Sequence, residues 1–107
     1  MIIYNVTSNI NATINTQWLA WIKEHILHVL ATGHFTEAKL TKVLVEDEDG
    51  SFTYSVQYRA KSREALDNYY KNNADQLRQE SLQMFGDKVL AFRTELEVID
   101  EYTVNYN

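Results

Sequence analysis

His25 and His28 stand three residues apart, one turn after Trp21, and His34 follows a little further on. On a helix that spacing puts both imidazoles on one flank, where two ligands of a metal ion can meet. A stable zinc site takes three or four ligands, and the neighbouring Glu24 projects from the far side of the pair. The set is incomplete, so no metal and no cofactor is expected. His25 lies beside apolar residues and reads as a partly buried, hydrogen-bonded imidazole. Trp21 stands off the apolar stripe, where a groove or a subunit contact uses a large aromatic. A second group is Asn5, Arg59 and Arg93, with Ser55, Gln57 and Glu95 nearby in pattern. If these share the polar face of a sheet, they offer the convergent polar groups that a small ligand needs. The candidate ligand-binding residues are therefore Asn5, Trp21, His25, Arg59 and Arg93, and none is nominated as catalytic.

Periodicity defines the elements that must carry these side chains. From Ile2 to Ile10 apolar and polar residues alternate as in a strand with one dry face. Asn15 or Thr16 is placed to cap a helix over Gln17–Ala31, whose stripe is Trp18, Leu19, Ile22, Ile26, Val29 and Leu30. Gly33 suits the residue that ends it. A second strand runs from about Phe35 to Glu46, and Asp49-Gly50 signals a hairpin turn. The third strand, Phe52–Ala60, puts Phe52, Tyr54, Val56 and Tyr58 on its dry side. Ser62 caps a second helix with Leu66, Tyr69, Tyr70, Leu77 and Met84 on one face, ended by Gly86. Val89–Ile99 completes the set, with Leu90, Phe92, Leu96 and Val98 assigned to the core side. Residues 101–107 read as an extra edge strand or a loose tail.

The order β-α-β-β-α-β is the split βαβ, or ferredoxin-like, arrangement. It predicts one α+β domain over 1–107: a four-stranded antiparallel sheet of order 4-1-3-2 with two helices on one face. The other face is then Asn5, Thr7, Lys39, Thr41, Thr53, Ser55, Gln57, Arg59, Arg93 and Glu95, interspersed with Ile3, Val43, Val45, Val89 and Ala91.

Composition narrows the functions. Apolar residues make up 45% of the chain, enough for a globular core. No apolar run reaches the roughly 18–20 residues of a membrane span, and the first residues lack a basic leader, so neither membrane insertion nor export is expected. The chain has no cysteine, which removes disulfides and thiolate metal sites and fits a cytoplasmic location. Net charge is −5, which opposes a nucleic-acid partner. An RNA-binding sheet is also opposed by the third strand. If Phe52 and Tyr54 faced RNA, Thr53, Ser55 and Gln57 would enter the core, at about 1–3 kcal/mol for each unpaired group. Three glycines, each with a turn or cap to occupy, leave none for a phosphate-binding loop. The acidic tip Glu46–Asp49 is too short for a calcium loop.

The run W-x-x-W-x-x-E-H-I-x-x-V-L-A-T-G-x-F from Trp18 to Phe35 is followed by Tyr54-Ser55-Val56-Gln57-Tyr58, then by Phe85-Gly86-Asp87-Lys88 and Ala91-Phe92-Arg93-Thr94. Together these resemble a small bacterial family known only as a domain of unknown function. More distantly the layout resembles the dimeric α+β barrel proteins, whose sheets pack face to face and which include haem-degrading and quinone-forming monooxygenases. The haem-degrading members ligate iron through a His on the second helix. This chain has no His between Ser62 and Phe85, so that ligand does not carry over. The expectation is a non-catalytic or small-ligand-binding homodimer joined through the polar sheet face. The alternative is a monooxygenase-like enzyme of the barrel type, with Asn5, Arg93 and a tryptophan holding substrate.

Overall fold

The computed structural model describes residues 1–104. Strands β1 (Ile2–Ile10), β2 (Phe35–Lys42), β3 (Phe52–Ala60) and β4 (Val89–Glu97) form one antiparallel sheet in the order β2-β3-β1-β4. This is the expected 4-1-3-2 arrangement. Helix α1 (Asn15–Ala31) connects β1 to β2. The second helical segment is α2 (Arg63–Tyr69) and α3 (Asp75–Phe85), joined by a π-helical turn over Tyr70–Ala74. Among the described residues no helix is long and apolar enough to cross a membrane.

The core forms because the alternating face of β1 and β3 meets both helical stripes. Tyr4, Ile10, Tyr54, Val56 and Tyr58 from the sheet pack with Trp18, Ile22 and Val29 of α1 and with Leu66, Tyr69, Leu77 and Phe85 of the second segment. Trp18 stacks on Tyr54 at 5.0 Å between ring centroids, and Phe35 meets Tyr69 edge-on at 4.9 Å. Leu66 and Ile10 are completely buried. Gly33, at φ +85°, ends α1 in the left-handed conformation that glycine adopts without strain. Ser62 Oγ accepts from the Ala65 amide at 3.0 Å and caps α2 as its position predicts.

Several local expectations change. Neither Asn15 nor Thr16 caps α1. Asn11 instead caps a short 3₁₀ turn (Ala12–Ile14) that runs into the helix, and Asn15 Oδ1 accepts from the Tyr54 hydroxyl at 2.8 Å. Strand β2 stops at Lys42, and residues 43–51 form a wider connection in place of a tight hairpin. Asp47 anchors that connection by accepting from Ser51 and Thr53 at 3.3 and 3.2 Å, and Gly50 closes a turn onto Asp47. Val45 thus leaves the sheet face and is exposed in the loop. Met84 is exposed, because the π turn adds a residue to the helical repeat and moves Ala74 and Phe85 onto the buried side, while Leu77 is buried as its spacing predicts. Glu101–Val104 form no strand; the remainder of the anticipated edge strand or tail, 105–107, lies outside the described residues.

The largest correction concerns β4. Its register against β1 pairs Ile10 with Val89, Ser8 with Ala91, Val6 with Arg93 and Tyr4 with Glu95. Directly paired residues point to the same side, so Val89, Ala91, Arg93 and Glu95 face the helices. Leu90, Phe92 and Leu96, expected in the core, lie on the open face and are exposed.

Candidate functional site

The polar face and the helix-covered face separate the five candidate ligand-binding residues into two groups. Trp21 and His25 come together with Arg93 in a partly open crevice of about 50 Å³ between α1, α3 and the sheet. Asn5 and Arg59 lie on the opposite, open face. The expected convergence of Asn5, Arg59 and Arg93 on one surface does not occur, because the β4 register carries Arg93 to the other side of the sheet.

The crevice is built from short-range helix geometry. Trp21 and His25 are one turn apart on α1, so their rings stack, with centroids 4.5 Å apart and planes at 22°. Phe85, at the end of α3, meets Trp21 edge-on at 5.5 Å. His25 Nδ1 lies 3.8 Å from a Glu80 carboxylate oxygen, too far for a hydrogen bond, and is buried without a partner. Burial pushes the imidazole below its ordinary value of 6.5. Glu80 opposes this, while His28 and Arg93 reinforce it. The ring is therefore neutral at neutral pH.

Arg78 and Ser81 reach the same cavity from α3, and Ser8 and Tyr4 from β1. Arg78 Nη2 donates to the Tyr4 hydroxyl at 3.1 Å, whereas its Nε is buried and unpartnered. Among the described residues neither Arg78 nor Arg93 has a carboxylate within 4.0 Å. Two guanidinium groups, a neutral imidazole and two serine hydroxyls thus converge beside aromatic walls. Such an arrangement has the hydrogen-bond donors that an anion requires. Ser8, Arg78, Glu80 and Ser81 were not among the residues singled out by pattern. Ser81 follows Leu77 by one turn and was available as a signal. Arg78 comes inward only because the π turn shifts the helical phase after Tyr69.

On the open face Asn5 is fully engaged. Its amide nitrogen donates to Thr7 and Thr94 at 3.2 Å each, and its oxygen accepts from Ser55 at 2.5 Å. Arg59 forms ion pairs with Glu37 at 3.2 Å and Glu101 at 2.8 Å and contacts the Met1 sulfur. The three Arg59 nitrogens and both polar atoms of the Asn5 amide are thus already partnered. Glu95, expected on this face, instead binds Arg63 through two 2.8 Å hydrogen bonds on the helix side and accepts from the Tyr70 hydroxyl at 2.7 Å. His28 is exposed, and His34 Nε2 contacts Asn73 Oδ1 at 3.0 Å. Among the described residues no three His, Cys, Asp or Glu side chains gather as a metal site would require.

A four-stranded sheet of this order under two helices defines a ferredoxin-like α+β protein, here with one sheet face uncovered and a basic crevice beneath the other. The chain belongs to the family described as domain of unknown function DUF4286, whose model matches residues 1–99. No curated protein matches it. Among solved structures it is similar to a dimeric ferredoxin-like protein from an uncultured marine organism, with a TM-score of 0.56 and 12% identity over 94% of this chain and 98% of that one. It is also similar to a de novo designed protein with a ferredoxin fold, with a TM-score of 0.52 and 19% identity over 100% of this chain and 96% of the other. At these identities the likeness is one of fold.

Proposed function

We propose that the protein is a dimeric small-ligand-binding module, in which two copies pair through their open sheet faces and leave each helix-side crevice accessible. The observation that carries this reading is the outward row Leu90, Phe92 and Leu96 on β4, with Phe92 68% exposed. Half-buried Ile3 lies opposite Leu96. The centre of the face is small and uncharged, with Asn5, Thr7, Thr53 and Ser55, and its charged groups sit towards β2 and the Arg59 end. Apolar side chains beside satisfied hydroxyls and amides can be laid against a copy of themselves without stranding charges. Two-fold pairing is the commonest way for a small domain to cover such a face, and the similar marine protein is itself dimeric. The barrel-type enzyme reading loses its substrate clamp, since Asn5 and Arg93 lie on opposite faces.

Light scattering behind a sizing column tests the dimer. At about 100 μM, well above the micromolar range of a modest specific contact, the wild type is expected at twice the chain mass. Ser55→Arg and Phe92→Asp are expected to run as folded monomers with unchanged far-ultraviolet circular dichroism, because neither touches the helix-side core. A monomeric wild type at that concentration overturns the reading.

A further inference from the structure

We infer that the crevice beneath the helices is a binding site for the head group of a small carboxylate, held by Arg78 and Arg93 with Ser8 and Ser81 at its floor and rim. The inference rests on the ligand-binding part of the reading above and names the ligand's chemistry.

Three observations converge on it. The chain carries a net charge of −5, yet this cavity gathers two guanidinium groups that have no carboxylate within 4.0 Å among the described residues. Arginines on such an acidic protein find surface partners readily, as Arg59 and Arg63 do here. Next, two polar atoms in the crevice, Arg78 Nε and His25 Nδ1, are buried with no hydrogen-bond partner. A buried unpaired polar atom is destabilising, and that cost is removed when a ligand atom or a water fills the gap. The third is shape. About 50 Å³ holds a planar head group of a few heavy atoms, and the crevice is partly open, so a short tail can extend out of it.

Guanidinium is a planar fork that matches the two oxygens of a carboxylate. The walls beside it are apolar, with Trp21, Val89 and Ala91, and suit a short hydrocarbon tail. Glu80 is the carboxylate that stands against anion binding, but its side chain is 40% exposed and points at His25 from 3.8 Å, so solvent screens it. About two or three waters would also fill the volume, and the test must separate that case from a ligand site.

Titration of isotope-labelled protein with sodium acetate and sodium butyrate, followed through the Arg78 Nε–H and Trp21 indole N–H resonances, makes the separation. Saturable shifts with both carboxylates, absent with sodium chloride at equal ionic strength, are expected. Arg93→Gln, at an exposed position, is expected to weaken binding by about tenfold or more, the loss of one charge-assisted contact. Ser81→Val provides a second variant that removes a hydroxyl without adding charge, and is expected to weaken binding less. Shifts that grow linearly and equally with chloride overturn the inference, as does an Arg93→Gln affinity within about twofold of wild type. Saturation by inorganic phosphate with none by carboxylates overturns the assigned class. Light scattering on the same samples keeps the two readings apart, since a dimer that ignores carboxylates refutes only the crevice and a monomer that binds them refutes only the pairing.

Discussion

The two sides of β4 differ in a way that inverts the usual relation between hydrophobicity and burial. Towards the helices the strand presents Val89, Ala91, Arg93 and Glu95; towards the open face it presents Leu90, Phe92, Thr94 and Leu96. The more apolar side is the exposed one. On the central strand β3 the ordinary relation holds, with Tyr54, Val56 and Tyr58 buried under the helices. The difference follows from position. The helices cover the middle of the sheet, so the helix-facing side of an edge strand is only half covered and can carry long charged side chains whose heads reach solvent or a partner. The apolar row on the uncovered side is left largely exposed by its own chain. It makes sense as a surface for another.

The sharpest way to test that contrast is to truncate one residue on each side. Leu66 is completely buried under the sheet, so Leu66→Ala removes contacts and leaves a cavity, at an expected cost of about 2–5 kcal/mol. Phe92→Ala, although it deletes a larger side chain, is expected to change the stability of the isolated monomer by no more than about 0.5 kcal/mol. Denaturant unfolding at a concentration low enough to dissociate any dimer measures both. Comparable losses would show that Phe92 packs within its own chain and would remove the argument for the open face.

This contrast also marks where sequence stops being informative. The strand order, the two helices, the Ser62 cap and the core faces of β1 and β3 were legible because alternation there coincides with burial: Tyr54, Val56 and Tyr58 are both apolar and covered. In β4 the same rule assigned Leu90, Phe92 and Leu96 to the core, since alternation reports that one face is apolar but not which side a neighbouring element covers. Only the register against β1 decides it. The second helix misled for a different reason. A period of 3.6 residues carried the stripe from Leu66 to Met84, whereas the π turn over Tyr70–Ala74 inserts a phase shift that no residue in Tyr-Lys-Asn-Asn-Ala announces. That shift brings Arg78 to the crevice, so one of its two arginines was invisible to periodicity. The pair Trp21 and His25 was legible because α1 is regular throughout.

A smaller effect separates the crevice from the rest of the core. Burial holds the His25 pKa below 6.5 in the folded protein, while the unfolded chain takes up its proton at the ordinary value. The unfolded state therefore binds more protons as pH falls below about 6.5, and stability declines from there until the folded imidazole is itself protonated. Stability measured from about pH 7.5 to about pH 5 should fall in the wild type and fall less in His25→Gln. Equal slopes would mean that the ring is solvated and that the crevice is more open than its packing against Trp21 implies.

The smallest effect is expected at the outer edge of the helix-side face, where Glu95 is clamped by Arg63 and Tyr70. Hydrogen bonds from Arg63, then from Tyr70, hold the Glu95 carboxyl down to about 2 against an ordinary 4.5. A depressed carboxyl stabilises the fold fully above 4.5, and the contribution is lost as pH drops through about 2. The pair is well exposed, with side chains 49% and 38% accessible, so water and salt screen it heavily. Glu95→Gln should therefore lower the melting temperature at neutral pH only slightly, far less than Leu66→Ala does. It should also flatten the loss of stability on acidification below pH 4.5. High salt should reproduce part of that flattening in the wild type. A large neutral-pH destabilisation in Glu95→Gln would show the opposite, that this edge is covered in the working protein and that the boundary between the two faces of β4 has been drawn in the wrong place.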